Sequence, residues 1–182
     1  TTEIYTLSLH DALPISTLTY DRHAGHAYTY DVVDLGYNYR IDEIRAALGI
    51  EQLKKLPANN QRRREIVAHY RAHLPAELTI PFRDHPGITA AHIAPILLPA
   101  GHNRTAFQDY MKEHGIQTSI HYPPIHTFSY YKERFPGPHH LPVTESVGAR
   151  EVTLPLFPTM TEEQIDYLME IVPLALKASK SS

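Results

Sequence analysis

Proline limits the length of the helices and strands that this chain can form, because it donates no backbone hydrogen bond. Fifteen of the 182 residues are proline. Pro57 is expected to divide a helical region into one helix over residues 41–56 and another over 57–74, since proline is tolerated in a first helical turn. Pro123 and Pro124 end an alternating segment, residues 117–122, that is typical of a strand. The prolines therefore predict a series of short helices and strands.

Hydrophobic residues at helical spacing give each predicted helix one apolar face. The first helix would bury the row Ile44, Ala47, Leu48, Leu53 and Leu56. The second would bury the row Ile66, Val67, Tyr70 and Leu74. A third helix is expected to begin at Asn103, a residue that caps helices, and to end at Gly115. The last begins at a capping box over residues 161–164.

Four short segments are typical of strands: residues 77–81, 92–99, 117–122 and 152–156. Pro95 indicates that the second of them is an edge strand or carries a bulge. Residues 127–150 are aromatic and broken by prolines, which favours short helical pieces. With helices and strands in this order, we expect an α/β fold in which helices cover one face of a small sheet.

Composition excludes several classes of protein. Hydrophobic residues make up 42% of the chain and charged residues 20%, which is ordinary for a globular protein and excludes disorder, collagen and coiled coil. A net charge of −3 is too small to direct the chain to nucleic acid or to an anionic membrane. The longest apolar run, residues 93–100, is too short to cross a bilayer. Cysteine is absent, which excludes disulfides and fits the cytoplasmic location that we expect.

The first residues do not fit the rest of the chain. Codon by codon, residues 1–15 can be back-translated into the constant adapter oligonucleotide used in short-read DNA sequencing. We therefore expect residues 1–16 to be a non-native stretch, and we expect the upstream part of the natural gene product to be missing. The alternative is a genuine N-terminal strand.

Thirteen histidines raise the question of a metal site. The closest pairs are His23 with His26, His121 with His126, and His139 with His140. Zinc sites use three or four ligands, often on an HExxH helix or with cysteine partners, and the sequence contains neither pattern. We therefore expect surface or satisfied histidines and no metal.

Two segments carry polar groups that secondary structure alone does not require. Residues 36–40, GYNYR, place Tyr, Asn and Arg donors just before a helix start, where an anion is favoured. Residues 121–126, HYPPIH, hold two imidazoles and a phenol on a rigid proline turn at the end of a strand. The plainer alternatives are a packed loop and a structural proline turn, and the residues by themselves do not decide between them.

Several motifs in a fixed order nevertheless resemble one enzyme family. They are GYNYR followed by IDEIRAALGIEQL, then QRRREIVAHY, then GIQTSIHYPPIH, and finally LPLFPTMTEEQID. The resemblance, to the DegT/StrS sugar aminotransferases, covers residues 22–176. It implies the fold type I architecture of aspartate aminotransferase, here its C-terminal portion, with a small mixed sheet covered by helices. It also implies pyridoxal 5'-phosphate as cofactor, and the transfer of an amino group, usually from glutamate, to a keto-sugar bound as a nucleotide diphosphate.

The resemblance assigns roles to particular residues. Asn38 would reach the cofactor phosphate of the other subunit in a homodimer, with Arg40 nearby for phosphate or nucleotide. An amide and a guanidinium suit this task, because both donate hydrogen bonds to phosphate oxygens. The side of the site that holds the substrate would be lined by Tyr37, His121, Tyr122 and His126.

The family's cofactor-binding lysine lies upstream of GYNYR, in a segment that this sequence does not contain. Lys132 lies downstream at a different spacing and without the glycines, so we reject it. We expect residues 17–56 to end the large domain and carry the interface loop, 57–178 to form the small domain, and 179–182 to be a tail. This portion alone would be inactive. The alternatives are a non-catalytic binding or regulatory module, and a metal-dependent sugar-binding protein.

Overall fold

A computed structural model describes residues 41–138 and 140–180 of the chain. The helices and strands are, in chain order, α1 (Glu43–His73), β1 (Ala94–Leu97), α2 (Arg104–Glu113), a 3-10 turn (Ile125–Thr127), α3 (Ser129–Arg134), α4 (Pro142–Arg150), β2 (Glu151–Leu154) and α5 (Glu162–Ala178). The chain divides into two compact units, residues 1–53 and 54–182. Both strands and the buried core of the described residues belong to the second unit.

Helix α1 runs through Pro57 without a break. The prediction of two helices on either side of this proline is therefore wrong, because the structure has one helix of 31 residues. Proline removes one hydrogen bond and crowds the preceding turn, but it leaves the other bonds of so long a helix in place. Apolar spacing predicted helix on both sides correctly, and it could not show that the helix continues through the proline.

The two halves of α1 differ in burial. As the spacing predicts, the second half packs on the core through Ile66, Val67, Tyr70 and Leu74. The first half is exposed along the row that was expected to be buried, Ile44, Ala47, Leu48, Leu53 and Leu56. Ile44 keeps 84% of its accessible surface. This expectation is wrong for the described residues, because periodicity identifies an apolar face but not what covers it.

The strands β1 and β2 pair in antiparallel register, with Leu97 opposite Glu151. Two isolated bridges extend the sheet: Thr79 with Leu97, and Ser119 with Thr153. The strands predicted over residues 77–81 and 117–122 are therefore reduced to these bridges in the structure. Strand pairing is antiparallel throughout the described part of the chain, where a mixed sheet was expected. Direction depends on the path of the chain between strands, which the alternation of apolar residues does not specify.

One buried core joins α1, both strands, α2 and α5, so helices do cover a small sheet as expected. Its largest fully buried apolar side chains are Ile66, Ile96, Leu98, Phe107, Met111, Val152, Leu154, Ile165, Leu168 and Val172. Burial of each such side chain contributes about 1.5–3 kcal/mol to folding. Among the described helices, none is both long enough and apolar enough to cross a membrane.

Helix boundaries follow the capping signals in the sequence. The side chain of Asn103 accepts a hydrogen bond from the Ala106 N–H at the start of α2. Gly115, just past the end of α2, has φ 74°, a left-handed conformation in which glycine is favoured. The side chains of Thr161 and Gln164 form the predicted capping box of α5. These three predictions are confirmed.

The C-terminal residues are better packed than a tail. Ser179 is buried, and its carbonyl accepts a hydrogen bond from the Asn103 N–H at 2.7 Å. Lys180 forms an isolated bridge with His102. The tail that was expected from residue 179 therefore packs against the start of α2 over its first two residues.

Tyr70 ties α1 to the end of β2. Its hydroxyl donates a hydrogen bond to the Pro155 carbonyl at 2.8 Å. Burial of the ring raises the pKa of the Tyr70 phenol above its ordinary value, because the charged phenolate would lose its hydration. The hydroxyl therefore stays neutral and available as a donor.

We expect Tyr70→Phe to lower the free energy of unfolding by about 0.5–1.5 kcal/mol, because the Pro155 carbonyl loses its donor in a partly buried position. Urea unfolding followed by circular dichroism measures this change. Tyr130→Phe is the matched control, since Tyr130 is 68% exposed and should change stability little. Equal losses in the two variants would show that the hydrogen bond of Tyr70 has no special role.

Candidate substrate-side site

Strand β2 carries two buried polar side chains on the same face, because residues two apart in a strand point the same way. Glu151 and Thr153 are each 5% exposed. The segment that ends in His121 runs beside this strand. The antiparallel bridge between Ser119 and Thr153 brings His121 level with Glu151. The fold thereby places an imidazole, a hydroxyl and a carboxylate side by side.

Three hydrogen bonds join these groups. The backbone N–H of His121 donates to Glu151 Oε2 at 2.9 Å. The imidazole Nδ1 of His121 lies 2.9 Å from Thr153 Oγ1. The Thr153 hydroxyl in turn donates to Glu151 Oε1. His121 is therefore held by β2 through both its backbone and its ring.

The proline turn after His121 lines an open cavity of about 550 Å³. The turn contributes residues 122–126, and the facing side chains are Tyr131, Phe135, Leu141 and Thr144. The walls are mainly aromatic and apolar, and their polar groups are the phenols of Tyr122 and Tyr131, the His126 imidazole and the Thr144 hydroxyl. Pockets with apolar walls and a few polar groups are typical of small-molecule sites.

His126 is paired with a carboxylate on α4. Its Nε2 lies 3.1 Å from Glu145 Oε1, and the Leu141 N–H donates to the same oxygen at 3.3 Å. The hydrogen bond from Leu141, followed by the one from His126, lowers the pKa of the Glu145 carboxyl. Glu145 therefore stays charged to lower pH than an ordinary glutamate, and it holds the His126 imidazole beside the first turn of α4.

Helix α4 passes very close to the proline turn at Gly148. A Cβ atom on this residue would lie 2.7 Å from both Cγ and Cδ of Pro124. The Gly148 carbonyl accepts a hydrogen bond from the guanidinium of Arg104, on α2. Glycine at this position therefore allows a contact that fixes one wall of the cavity.

The structure brings the three predicted residues that it describes onto one turn, in two different settings. The rings of His121 and Tyr122 meet edge to face, with centroids 4.8 Å apart. Tyr122 and His126 line the cavity, whereas His121 is not among its lining residues and bonds to β2 instead. Three other predicted site residues, Tyr37, Asn38 and Arg40, lie outside the described residues.

Sequence reasoning missed the partners of these histidines. Glu151, Thr153 and Glu145 were not among the predicted site residues. Glu151 and Thr153 could have been suspected, because they flank Val152 at strand spacing just before an apolar segment. Glu145 carried no such signal, since its contact with His126 depends on how α4 folds back on the turn.

Three other histidines of the described chain stack on a neighbouring ring. The ring of His69 stacks on that of His73 with centroids 4.0 Å apart, and the ring of His114 stacks on Tyr110 at 4.3 Å. Within residues 41–138 and 140–180, no group of three or more His, Asp or Glu side chains is arranged to hold a metal ion. The pair His23 and His26, and also His139, lie outside the described residues.

Known protein families account for this arrangement of helices, strands and motifs. A sequence profile of the DegT/DnrJ/EryC1/StrS aminotransferase family matches residues 10–173. The chain belongs to this family. The match includes GYNYR, the segment that leads into the proline turn, and the start of α5.

Solved structures share the fold. Spr1654 of Streptococcus pneumoniae, named a sugar aminotransferase and solved in its PMP form, is 23% identical with a TM-score of 0.77 and is matched over 97% of this chain. PseC of Helicobacter pylori, an aminotransferase involved in the biosynthesis of pseudoaminic acid, is 22% identical with a TM-score of 0.73 over 97% of this chain. A DegT/DnrJ/EryC1/StrS aminotransferase of Brucella abortus is 28% identical with a TM-score of 0.69 over 80% of this chain.

The similarity covers less than half of each of these proteins. The chain matches 44% of Spr1654, 46% of PseC and 38% of the Brucella abortus enzyme. The predicted fold class, a portion of a fold type I aminotransferase, is confirmed by these matches.

We expect Gly148→Ala to destabilise the chain by about 1–3 kcal/mol, because the new methyl group must displace Pro124. Gly49→Ala is the matched control in another helix, where a Cβ would meet nothing within 4 Å. That change should stabilise by about 0.5–1 kcal/mol through helix propensity alone. Urea unfolding measures both. A stabilising Gly148→Ala would show that α4 does not need this close contact.

Proposed function

We propose that the chain is part of a pyridoxal-phosphate-dependent aminotransferase that passes an amino group from glutamate to a nucleotide-linked keto-sugar. The observation that carries the proposal is the family match over residues 10–173. A sugar acceptor is supported by the names of two similar proteins, the sugar aminotransferase Spr1654 and PseC, which acts in the biosynthesis of pseudoaminic acid.

The cofactor of the proposed enzyme is pyridoxal 5'-phosphate, and the PMP form of Spr1654 supports this choice. When bound, the cofactor carries the amino group from donor to acceptor. Its phosphate does not fit beside His121, because the buried carboxylate of Glu151 would repel an anion there. Asn38 and Arg40, outside the described residues, have the donor chemistry that fits a phosphate.

The described residues would act on the substrate side. A sugar offers hydroxyl groups that both donate and accept hydrogen bonds, and the exposed Tyr122 phenol can do both as well. The aromatic wall beside it provides flat apolar surface for the carbon face of a sugar ring. In this proposal His121, Tyr122 and His126 bind and orient the sugar, together with Tyr37.

We further propose that the working enzyme is a homodimer. Asn38 would serve the cofactor phosphate of the neighbouring subunit, with Arg40 beside it. Asp42 immediately precedes α1 and Glu43 begins it, and their charges disfavour an anion bound by the amides of the first turn. A phosphate served by Asn38 is therefore better placed across an interface.

The chain alone is proposed to be inactive. It spans 44% of Spr1654, and its sequence contains no segment like the family's lysine motif. Residues 17–56 are assigned to the large domain and residues 57–178 to the small domain, and the location is proposed as cytoplasmic.

We expect no lysine of this chain to react stoichiometrically with pyridoxal phosphate. The candidates are Lys54, Lys55, Lys112, Lys132, Lys177 and Lys180, all outside the family's lysine motif. Incubation with the cofactor, reduction with borohydride and peptide mapping would show the labelled positions. Free lysine at matched concentration is the control for nonspecific reaction. One fully labelled lysine would contradict the proposal that the chain alone is inactive.

Asn38→Ala is expected to weaken cofactor retention about ten- to a hundredfold in an enzyme completed with the family's lysine segment. Loss of a charge-assisted hydrogen bond costs about 1.5–3 kcal/mol, and each 1.4 kcal/mol is a factor of ten. Equilibrium dialysis against pyridoxal phosphate measures the retention. Asn59→Ala, in the middle of α1, is the control. The completed enzyme must also aminate a nucleotide-linked keto-sugar with glutamate, and failure to do so favours the non-catalytic module.

Mixed dimers would show whether Asn38 acts across the interface. Subunits with Asn38→Ala would be combined with subunits that lack the cofactor-binding lysine. If Asn38 serves the neighbouring subunit, each mixed dimer carries both defects in one site and keeps the other site intact. Half of the dimers are mixed on statistical grounds, so the mixture should recover up to about a quarter of the wild-type rate. Mixtures that form dimers and stay inactive would contradict a role across the interface.

A further inference from the structure

The buried Glu151 carboxylate is the end of a hydrogen-bonded chain that reaches His121. Both carboxylate oxygens accept hydrogen bonds, Oε2 from the His121 backbone N–H and Oε1 from the Thr153 hydroxyl. The Thr153 oxygen in turn lies 2.9 Å from Nδ1 of the His121 ring. The three side chains are thus connected in the order carboxylate, hydroxyl, imidazole.

The direction of each bond follows from the number of hydrogens available. A hydroxyl has one hydrogen to donate, and the Thr153 hydrogen goes to Glu151. The Thr153 oxygen can therefore only accept from the imidazole. A neutral imidazole donates from one ring nitrogen and accepts at the other, so the donor here must be Nδ1 and the acceptor must be Nε2.

We propose that Glu151 and Thr153 are positioning residues that hold neutral His121 in the tautomer with hydrogen on Nδ1. Its Nε2 then presents a lone pair, which accepts a hydrogen bond from a donor such as a sugar hydroxyl. This selects a ligand that donates at that point and disfavours one that offers only acceptors. The ligand half of the proposal rests on the function proposed above.

The surroundings of His121 leave Nε2 available. Its ring meets that of Tyr122 in an edge-to-face arrangement, at a centroid distance of 4.8 Å. Among the described residues, none is hydrogen-bonded to Nε2, and this atom is not among the buried unpartnered atoms. Within the described part of the chain Nε2 thus has no hydrogen-bond partner, whereas Nδ1 is bonded to Thr153.

The tautomer can be measured directly by nuclear magnetic resonance. In long-range 1H–15N spectra of the whole chain, a protonated ring nitrogen and an unprotonated one have widely separated shifts. The His121→Gln spectrum identifies the His121 signals among those of the other histidines. At pH about 8.5, above the ordinary histidine pKa of about 6.5, the neutral ring is observed. We expect hydrogen on Nδ1, and a ring with hydrogen mainly on Nε2 would overturn the proposal.

Two changes at Thr153 separate the hydroxyl from its packing. Thr153→Val keeps the shape but removes the acceptor, so the ratio of the Nδ1–H to the Nε2–H form should fall about three- to tenfold. Thr153→Ser keeps the hydroxyl and should keep the wild-type ratio. An unchanged ratio in Thr153→Val, or a large fall of the ratio in Thr153→Ser, would contradict the proposed control of the tautomer by Thr153.

Glu151→Gln offers a stricter test, because it should reverse the tautomer. The amide oxygen would accept from the His121 N–H, and the amide nitrogen would donate to the Thr153 oxygen. The Thr153 hydrogen is then free to turn toward the imidazole, and it gains a partner there only if Nδ1 becomes the acceptor. A Glu151→Gln chain that keeps hydrogen on Nδ1 would overturn the proposal. If this variant does not fold, the wild-type and Thr153→Ser spectra still decide it.

These measurements are independent of the enzymatic proposal. They use the protein without cofactor or substrate, so the tautomer of His121 can be established even if the completed enzyme fails to aminate a keto-sugar. Conversely, a ring with hydrogen on Nε2 would refute the role proposed for Glu151 and Thr153 and leave the family assignment intact.

Discussion

The hydrogen bonding of strand β2 is the constraint on which the rest of the described structure depends. All four residues from Glu151 to Leu154 are buried, with β1 paired along one edge and the segment around Ser119 bridged to the other. Val152 and Leu154 enter the apolar core, while Glu151 and Thr153 put polar groups into the same strand. A strand with so little access to water must satisfy its polar groups internally.

The candidate site follows from that requirement. Glu151 and Thr153 are satisfied by each other and by His121, so the demand for hydrogen bonds in β2 also fixes the start of the proline turn. The turn is closed from the other side by α4, which passes Pro124 at Gly148. The polar residues around this turn are therefore positioned by a buried strand and a helix contact rather than by the turn alone.

Local signals predicted the helix ends well. Asn103, Gly115 and the Thr161 capping box act within a few residues of themselves, so their structural role can be inferred from their neighbours in the sequence. The prediction that Pro57 divides the helix was wrong, because the remaining hydrogen bonds of a long helix outweigh the one that proline removes. The lengths of the strands predicted at 77–81 and 117–122 were too great, because a strand extends only as far as a partner pairs with it.

The family and the fold class could be obtained from the order of the amino acids, which also singles out the HYPPIH turn as a candidate site. Motifs and helix caps depend on residues that are near each other in the sequence, so they can be identified without knowledge of long-range contacts. The pairing of His121 with Glu151 and Thr153, and of His126 with Glu145, was decided only by the tertiary structure. The His121 and Glu151 pair joins residues 30 apart in the sequence, and the meeting of β2 with the segment after Ser119 creates it. Such contacts depend on the path of the whole chain, which no local pattern of residue types encodes.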